Sequence, residues 1–298
     1  MSVKVRAYRH SEDFARVGDF LIATYVPGEK SANWLQPRWE YMHYTYDLKE
    51  PDLRRFGIWE DSGDIVGVAH IEDRFGTVYF EIHPDFTQLK LEMLEYAETH
   101  LSAELSNGRR HIRAFISDID SEFEAVAGSR GYRQDANSPE YSSQSAMVDP
   151  FPQIILQEGF HLKSLEDDND LSKVNRVLYR GFNHPGEVPA DLIEFRKRVQ
   201  SAPNFRKDLN IVVESPEGEF VSYAGMWYEK VNRVAYVEPV ATDPDYRFMG
   251  LGKAAVLEGL RRCKTLGASV AFVGSGQTFY EAIGFHRVFA HYPWIRYF

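Results

Sequence analysis

The sequence predicts two mixed α/β domains in tandem, each with a mostly antiparallel central sheet flanked by helices. Three observations predict this fold class. The order of strand-like and helix-like segments in the first half repeats in the second. Two short motifs recur in the same order: residues 83–86 correspond to 243–246, and 131–132 correspond to 284–285, at offsets of 160 (243 − 83) and 153 (284 − 131). The 298 residues suffice for two domains of about 150 residues each.

Hydrophobic periodicity and turn residues locate the elements of both halves. In the first half we predict strands at 3–8, 55–60, 65–72, 77–82 and 111–117 and helices at 14–23, 39–46, 89–101 and 123–130. In the second half we predict strands at 160–165, 210–214, 221–228, 234–240 and 268–273, helices at 171–182, 251–260 and 278–283, and a closing strand at 291–298. Periodicity is lost in a stretch rich in Ser and Pro, residues 135–153, so we place the domains at 1–148 and 149–298.

Composition narrows the class of protein. With 44 acidic against 34 basic residues the net charge is −10, which disfavours nucleic acid as a partner and favours cationic or neutral small molecules. We find no apolar run long enough to span a bilayer and no apolar signal core at the N-terminus. Cys263, the single cysteine, is expected to be buried. We therefore expect a cytoplasmic protein that is not bound to a membrane.

The segment from 234 to 255 carries the clearest chemical signal. An apolar strand leads through a loop into a helix whose first free backbone N–H groups lie near Gly250 and Gly252. The two glycines have no Cβ, so a ligand can approach these amides closely, and Arg247 and Lys253 add positive charge. This arrangement predicts a site for a phosphate or pyrophosphate.

Other interpretations of these glycines compete. A P-loop requires Gly where Arg247 stands and Ser or Thr where Ala254 stands, so that interpretation fails. Residues 250–255 formally match the dinucleotide-binding fingerprint, but the loop 242–249 separates them from the strand, and the next strand lacks the acidic residue that a ribose needs. A glycine-softened loop before an ordinary core helix remains the alternative without a ligand.

Two motifs resemble the GCN5-related N-acetyltransferase (GNAT) family. The pattern Arg247-x-x-Gly250-x-Gly252 after a strand and loop resembles the family's pyrophosphate loop for coenzyme A. About 30 residues later, the sequence FYEAIGF at 279–285 resembles the family's second signature, which begins a short helix. The resemblance covers the second half, and the internal repeat extends it to the first. It implies a tandem acyl-CoA N-acyltransferase fold.

The resemblance also implies how acetyl-CoA, the expected co-substrate, would bind. The pyrophosphate would be wrapped by Arg247, Phe248, Met249, Gly250, Leu251, Gly252 and Lys253, and the pantetheine arm would pair with the backbone of Val240, Ala241 and Thr242. Pro239 supports this independently, because a proline in a central strand usually marks a bulge or an edge, although a harmless kink is equally compatible. A backbone N–H near Val240 or Ala241 would then polarise the thioester carbonyl.

Acyl transfer to an amine also needs a base and a proton donor. Tyr280 matches the family position for donating a proton to the departing thiolate; its alternative role is that of a packed core tyrosine. Glu238, on the strand before Pro239, is a candidate base that acts directly or through water, or an electrostatic hold on a cationic substrate. The C-terminal carboxylate at Phe298 is a further candidate base.

The first half lacks these features. Aligning the repeated motifs places Thr87, Lys90 and Glu92 opposite Arg247, Gly250 and Gly252, and Ala127 opposite Tyr280. Side chains and a negative charge thus replace the bare backbone, and a hydroxyl is missing. We therefore predict a degenerate first copy that serves as a scaffold or as a wall of the substrate site.

The sequence as a whole predicts an N-acetyltransferase that acts in a ternary complex on the primary amine of a small molecule. The rival hypothesis is a non-catalytic sensor or interaction module that binds coenzyme A or a metabolite. We expect no metal, because His83, His184 and His291 have no ligand spacing and are expected on loops or at the surface. The identity of the amine, the length of the acyl group and a homodimeric state are left open.

Overall fold

The computed structural model describes residues 3–28, 32–189 and 191–298. The chain forms two compact units. The first unit consists of the chain up to Tyr141 together with Val288–Phe298, and the second unit is Ser142–Arg287. Among the described residues, the helices are all too short or too polar to cross a membrane.

Strands and helices alternate along the chain. Within the described residues the strands are β1 (Lys4–Ala7), β2 (Gly57–Asp61), β3 (Asp64–Ile71), β4 (Thr77–Ile82), β5 (Ala103–Glu104), β6 (Arg110–Ser117), β7 (Arg133–Gln134), β8 (Glu140–Ala146), β9 (His161–Ser164), β10 (Ile211–Glu214), β11 (Phe220–Glu229), β12 (Val234–Thr242), β13 (Val270–Val273) and β14 (His286–Tyr297). The α-helices are α1 (His10–Thr24), α2 (Gln36–Thr45), α3 (Glu50–Leu53), α4 (Lys90–His100), α5 (Ser121–Ser129), α6 (Leu171–Gly181), α7 (Leu192–Gln200), α8 (Leu251–Thr265) and α9 (Thr278–Glu281). Short 3₁₀ helices occur at Pro84–Leu89, Lys207–Leu209 and Pro244–Tyr246.

The first unit is built on a mixed sheet with the strand order β1-β2-β3-β4-β6-β14. Neighbours are antiparallel except β4 and β6, which run parallel. Its core is rich in aromatic side chains, with Trp39, Phe56 and Trp59 fully buried. His291 on β14 is also buried, and its Nε2 lies 2.9 Å from the carbonyl oxygen of Ala32. The expectation of a loop or surface histidine at this position was therefore wrong.

The second unit has the same topology, with the order β9-β10-β11-β12-β13-β8 and a single parallel pair, β12 and β13. Helix α8 packs on this sheet, and Gly267 (φ +104°) ends it in the left-handed conformation that favours glycine. Cys263 lies on its buried side, as predicted. Burial raises the pKa of the Cys263 thiol to about 12, so the thiol stays protonated at neutral pH.

The repeat inferred from the sequence is a structural repeat. In both units three antiparallel strands end at a 3₁₀ turn, which leads into a helix and then a strand parallel to the third. The two turns are capped alike. The His83 ring accepts a hydrogen bond from the N–H of Asp85 (3.2 Å), and the Asp243 carboxylate accepts one from the N–H of Asp245 (3.1 Å). The mixed α/β class and the tandem arrangement are confirmed.

The last strand of each sheet comes from the opposite half of the sequence. Strand β8 pairs with β13 in the second unit, whereas β14 pairs with β6 in the first. The compact units therefore differ from the division at residue 148, because the closing strand belongs to the first unit and the stretch 135–153 contains a strand. The sequence of β8, EYSSQSA, has little hydrophobic periodicity, so its extended conformation depends on pairing rather than on local preference.

Candidate active site

A cavity of about 640 Å³ opens in the second unit, within the size range of small-molecule sites. Four segments line it: the end of α6, the end of β12, the loop and first turn of α8, and the short helix α9. Its walls include Val240, Ala241, Thr242, Arg247, Phe248, Gly250, Leu251, Gly252, Lys253 and Tyr280. Most of the residues that the sequence analysis singles out therefore surround one cavity.

The end of strand β12 is not covered by β13 where it borders this cavity. Pairing with the parallel strand β13 covers Val234 to Tyr236, whereas pairing with β11 continues to Thr242. The N–H of Asp243 donates to β11, at 2.9 Å from the carbonyl oxygen of Val221. Successive peptide groups in a strand point to opposite sides. By this alternation the N–H groups of Thr242 and Val240 point away from β11, towards the open edge.

A bulge interrupts the β11–β12 ladder beside Pro239. The register shifts between Ala224 and Met226, and a Cβ on the intervening Gly225 would lie 2.5 Å from the carbonyl oxygen of Glu238. The Trp227 indole N–H donates to this same oxygen at 3.0 Å. The interpretation of Pro239 as the mark of a bulge is therefore confirmed, and Trp227 holds the backbone there. The contacts of Gly225 and Trp227 with the backbone of Glu238 could not be predicted from the sequence, because they depend on the register.

The first turn of α8 is shaped by its glycines. Gly250 is the N-cap residue, with φ +80°, a conformation that disfavours side chains. A Cβ on Gly252 would lie 2.9 Å from the Thr242 hydroxyl oxygen, so the helix can approach β12 this closely only with glycine there. The first N–H groups of a helix have no partner within it and carry partial positive charge. This start of α8 therefore points donors into the cavity.

The two cations of the loop differ in their surroundings. The Arg247 guanidinium donates to the carbonyl oxygens of Thr242 (3.2 Å) and Gly181 (2.9 Å) and to Oδ1 of Asn183 (2.8 Å). It thus ties the end of α6 to the end of β12. Lys253 is exposed and, within the described residues, makes no ion pair. Lys253 is therefore the cation of this loop that remains available to an anion.

An ion pair with a buried carboxylate ties the end of α6 to the turn that precedes α8. The Arg180 guanidinium donates to the buried Asp243 carboxylate from Nε (2.6 Å) and Nη2 (2.9 Å), and also to Asp245 (2.7 Å). Burial alone would raise the pKa of Asp243, but the hydrogen bonds from Arg180 and from the N–H of Asp245 lower it. The role of Arg180 was not predicted from the sequence. Its position in the last turn of an amphipathic helix, directly before a glycine, was the signal that could have indicated it.

Tyr280 lies in α9 with 8% of its surface exposed and lines the cavity. Burial raises the pKa of Tyr280 well above its usual value, and the negative charge of Glu238 raises it further. The phenol is therefore protonated at neutral pH, and the negative charge of Glu238 is near enough to disfavour its ionisation. Glu238 is partly exposed, beside the bulge. Phe298 belongs to the first unit, where its backbone pairs with Arg110.

Comparison with known proteins connects this geometry to a family. Residues 177–290 match the model of the acetyltransferase (GNAT) family. The chain is also 25% identical over 258 residues to a mycothiol acetyltransferase of Thermobispora bispora, an alignment that covers 80% of this chain and 82% of that protein. Residues 177–290 therefore form a domain of the GNAT family. In general terms it is therefore an acetyltransferase, and GNAT acetyltransferases use acetyl-CoA.

Solved structures show the two-domain form of the GNAT fold over the whole chain. A GCN5-related N-acetyltransferase from Sphaerobacter thermophilus superposes with a TM-score of 0.66 at 14% identity, covering 99% of this chain and 95% of that one. A tandem GNAT protein from the clavulanic acid biosynthesis pathway superposes equally well, at 13% identity and with 99% and 98% coverage. At such identities the likeness shows the fold alone.

The corresponding place in the first unit is narrowed by its own side chains. A smaller cavity of about 190 Å³ lies there. Lys90, at the start of α4, is buried, and its Nζ contacts Asp120 and Glu122, each at 2.7 Å. The Glu92 carboxylate accepts a hydrogen bond from the Trp59 indole at 2.8 Å. Both side chains that replace the glycines are therefore engaged in internal contacts.

Proposed function

We propose that the second unit binds acetyl-CoA and transfers its acetyl group directly to the primary amine of a small molecule. The observation that carries this proposal is the convergence on one cavity of a free strand edge, a glycine-rich helix start and a protonated tyrosine. Each of these corresponds to one part of the donor: the pantetheine amides, the pyrophosphate and the thioester sulfur.

The cavity fits the donor from its phosphate end inwards. The N–H groups of the first turn of α8, from Leu251 to Lys253, suit a pyrophosphate, and the Lys253 ammonium adds a charge. The Arg247 side chain acts on the loop instead, since its donors already bind Thr242, Gly181 and Asn183. We therefore assign Arg247 to shaping the loop, and we assign the anion to the helix start and Lys253.

The edge of β12 suits the pantetheine arm and the thioester. An extended arm carrying amide groups can pair with a strand edge as an added strand does. Of the two residues considered for polarising the thioester carbonyl, Val240 is favoured, because the N–H of Ala241 points towards β11. The Val240 N–H would stabilise the negative charge that develops on the thioester oxygen during attack.

Glu238 and Tyr280 divide the proton transfers between them. An amine attacks only when neutral, so a carboxylate that accepts its proton, directly or through water, makes it a nucleophile. We assign this role to Glu238, which lies on β12 beside the bulge and whose charge raises the pKa of Tyr280. The C–S bond then breaks, and the sulfur takes the phenolic proton or a hydrogen bond from Tyr280. The raised pKa of Tyr280 keeps the phenol protonated at neutral pH, as this role requires.

The acceptor is proposed to be a small cationic amine. The net charge of −10 attracts cations, and the carboxylate of Glu238 is a local partner for an ammonium group. The related protein named as a mycothiol acetyltransferase is consistent with a small-molecule acceptor rather than a macromolecular one. A homodimer is neither required by this mechanism nor argued against by it.

A panel of amines tests the proposal. Purified protein is incubated with acetyl-CoA and with amino sugars, amino thiols, polyamines or amino acids, and release of free thiol is followed together with the mass of the acetylated product. At least one amine is expected to give both signals. Binding of acetyl-CoA by calorimetry without thiol release from any amine would instead favour the sensor. Failure to bind acetyl-CoA at all would overturn the proposal.

A further inference from the structure

Phe248 has an unusual conformation for a bulky residue. Its φ is +62°, in the left-handed region that residues with a side chain rarely adopt, and its ring is fully exposed to solvent. Neither local geometry nor burial favours this arrangement. A backbone outlier at a cavity suggests a function for the side chain that it positions. The first copy has Gln88 at the corresponding position.

A second exposed ring lines the same cavity. Phe182, the C-cap residue of α6, is 49% exposed and lines the same cavity as Phe248. The Arg247 guanidinium binds Gly181 and Asn183, the residues on either side of Phe182. Since Arg247 directly precedes Phe248, these hydrogen bonds tie the chain on either side of Phe182 to the residue next to Phe248.

The proposed function indicates which part of the donor meets these rings. It assigns the thioester to Tyr280, the pantetheine arm to the edge of β12 and the pyrophosphate to the start of α8, all of which line this cavity. In coenzyme A the groups beyond the pyrophosphate are the ribose phosphate and the adenine. The adenine is the planar aromatic part of the donor, and stacking on an aromatic side chain contributes substantially to binding of a base.

We infer that Phe248, together with Phe182, forms a subsite for the adenine ring of the acyl donor at the mouth of the cavity. This inference rests on the proposed function, because it assumes that the donor is a coenzyme A thioester. The Arg247 guanidinium then positions the residues of this subsite. The affinity for the donor then depends on its nucleotide part as well as on its pantetheine arm.

The test compares two probes on the full-length protein. Coenzyme A and 4′-phosphopantetheine, which lacks the adenosine part, are titrated by calorimetry into the wild type and into Phe248→Ala and Phe248→Trp. Phe248→Ala is expected to weaken coenzyme A binding about ten-fold and to leave 4′-phosphopantetheine binding unchanged. Phe248→Trp is expected to retain coenzyme A affinity and to show fluorescence quenching with coenzyme A only. Val231→Ala, which removes part of an exposed apolar side chain in a turn of the same unit, is the control.

The outcomes separate the inference from the proposed function. Wild-type binding of coenzyme A with no effect of Phe248→Ala would overturn the inference and leave the proposed function intact. Equal losses for both probes would also overturn it, since Phe248 would then act on the loop. If the Phe248 ring instead serves contact with another protein, Phe248→Ala leaves coenzyme A binding unchanged, which is the first of these outcomes. Absence of coenzyme A binding in the wild type would overturn both.

Discussion

The two units carry the same strand edge, and they use it in opposite ways. Ile82, at the end of β4, corresponds to Thr242, at the end of β12, and the residue after each donates its N–H to the neighbouring strand. In the first unit the Asn33 side chain pairs with both backbone groups of Ile82: its Oδ1 accepts from the N–H (2.8 Å) and its Nδ2 donates to the carbonyl oxygen (3.1 Å). The side-chain amide thus takes the place that an added strand would occupy.

Neighbouring groups complete this closure. The N–H of Trp34 donates to the buried Glu81 carboxylate at 2.6 Å, and the carbonyl oxygen of Ala32 contacts His291. In the second unit the Thr242 carbonyl oxygen also has a side-chain partner, Arg247, but the Val240 N–H faces a cavity. The same topology can therefore form either a closed scaffold, as in the first unit, or an open cavity, as in the second. The difference depends on whether a few side chains occupy the space beside the end of the third strand, as they do at β4, or leave it open, as they do at β12.

The largest expected effect comes from giving the second unit the residue of the first. Gly252→Glu, which copies Glu92, is expected to weaken acetyl-CoA binding more than about 100-fold, since the new Cβ would overlap the Thr242 hydroxyl and a carboxylate would face the pyrophosphate. Calorimetry measures the dissociation constant, and thermal unfolding reports whether the variant folds. Gly252→Ala adds the Cβ alone and is expected to give a smaller loss. An unchanged constant for Gly252→Glu would show that the donor binds elsewhere.

Tyr280→Phe tests the proton donor, which Ala127 shows to be missing from the first copy. We expect kcat to fall about 10³-fold while the dissociation constant for acetyl-CoA is unchanged. Because the pKa of Tyr280 is raised, the phenol keeps its proton beyond its ordinary range, so the wild-type rate should show no alkaline decline below about pH 10. Full activity of Tyr280→Phe would reduce the tyrosine to a packing role.

Glu238→Gln separates the two roles considered for this carboxylate. If Glu238 is the base, kcat/KM at pH 7 falls about 10²-fold and recovers as the pH approaches the pKa of the amine. The pKa of Tyr280 should fall as well, because the charge of Glu238 raises it. A rise in KM for the amine alone, without recovery at high pH, would identify an electrostatic hold on the substrate instead.

Asn33→Ala has the smallest expected effect and concerns the closed unit. It leaves the N–H and carbonyl groups of Ile82 without their partner, so the free energy of unfolding should fall by about 1–3 kcal/mol. It should not create a second donor site, because Lys90 and its carboxylate partners still fill the helix start. Denaturant unfolding measures the loss. Unchanged stability would show that Asn33 does not close this edge.

Much of the architecture could be predicted from the sequence, because local patterns specify it. Periodicity predicts the meanders, the helix α8 and the strand β12 as far as Val240, and the glycine at position 250 agrees with the positive φ found there. The repeat could be recognised because the 3₁₀ turns at Pro84 and Pro244 keep the same capping arrangement. These features depend on neighbours in the sequence.

The rest depends on contacts distant in sequence. The partner strands of β8 and of β14 could not be predicted. Neither the polar sequence EYSSQSA of β8 nor the sequence of the closing strand specifies which strand it pairs with. The role of Asn33 depends on a strand 49 residues away, and the partners of Arg247 depend on residues more than 60 positions earlier. Single-residue patterns reveal a charge or an amide, but not the group that it binds.

Counting the acetyl-CoA molecules bound per chain tests the central claim, that the second unit alone holds the donor. Native mass spectrometry of the wild type, Gly252→Glu and Lys90→Met gives the number directly, and thermal unfolding confirms that each variant is folded. The account predicts one molecule per chain in the wild type and in Lys90→Met and none in Gly252→Glu. Two molecules per chain in the wild type, or one that survives Gly252→Glu and is lost in Lys90→Met, would contradict it.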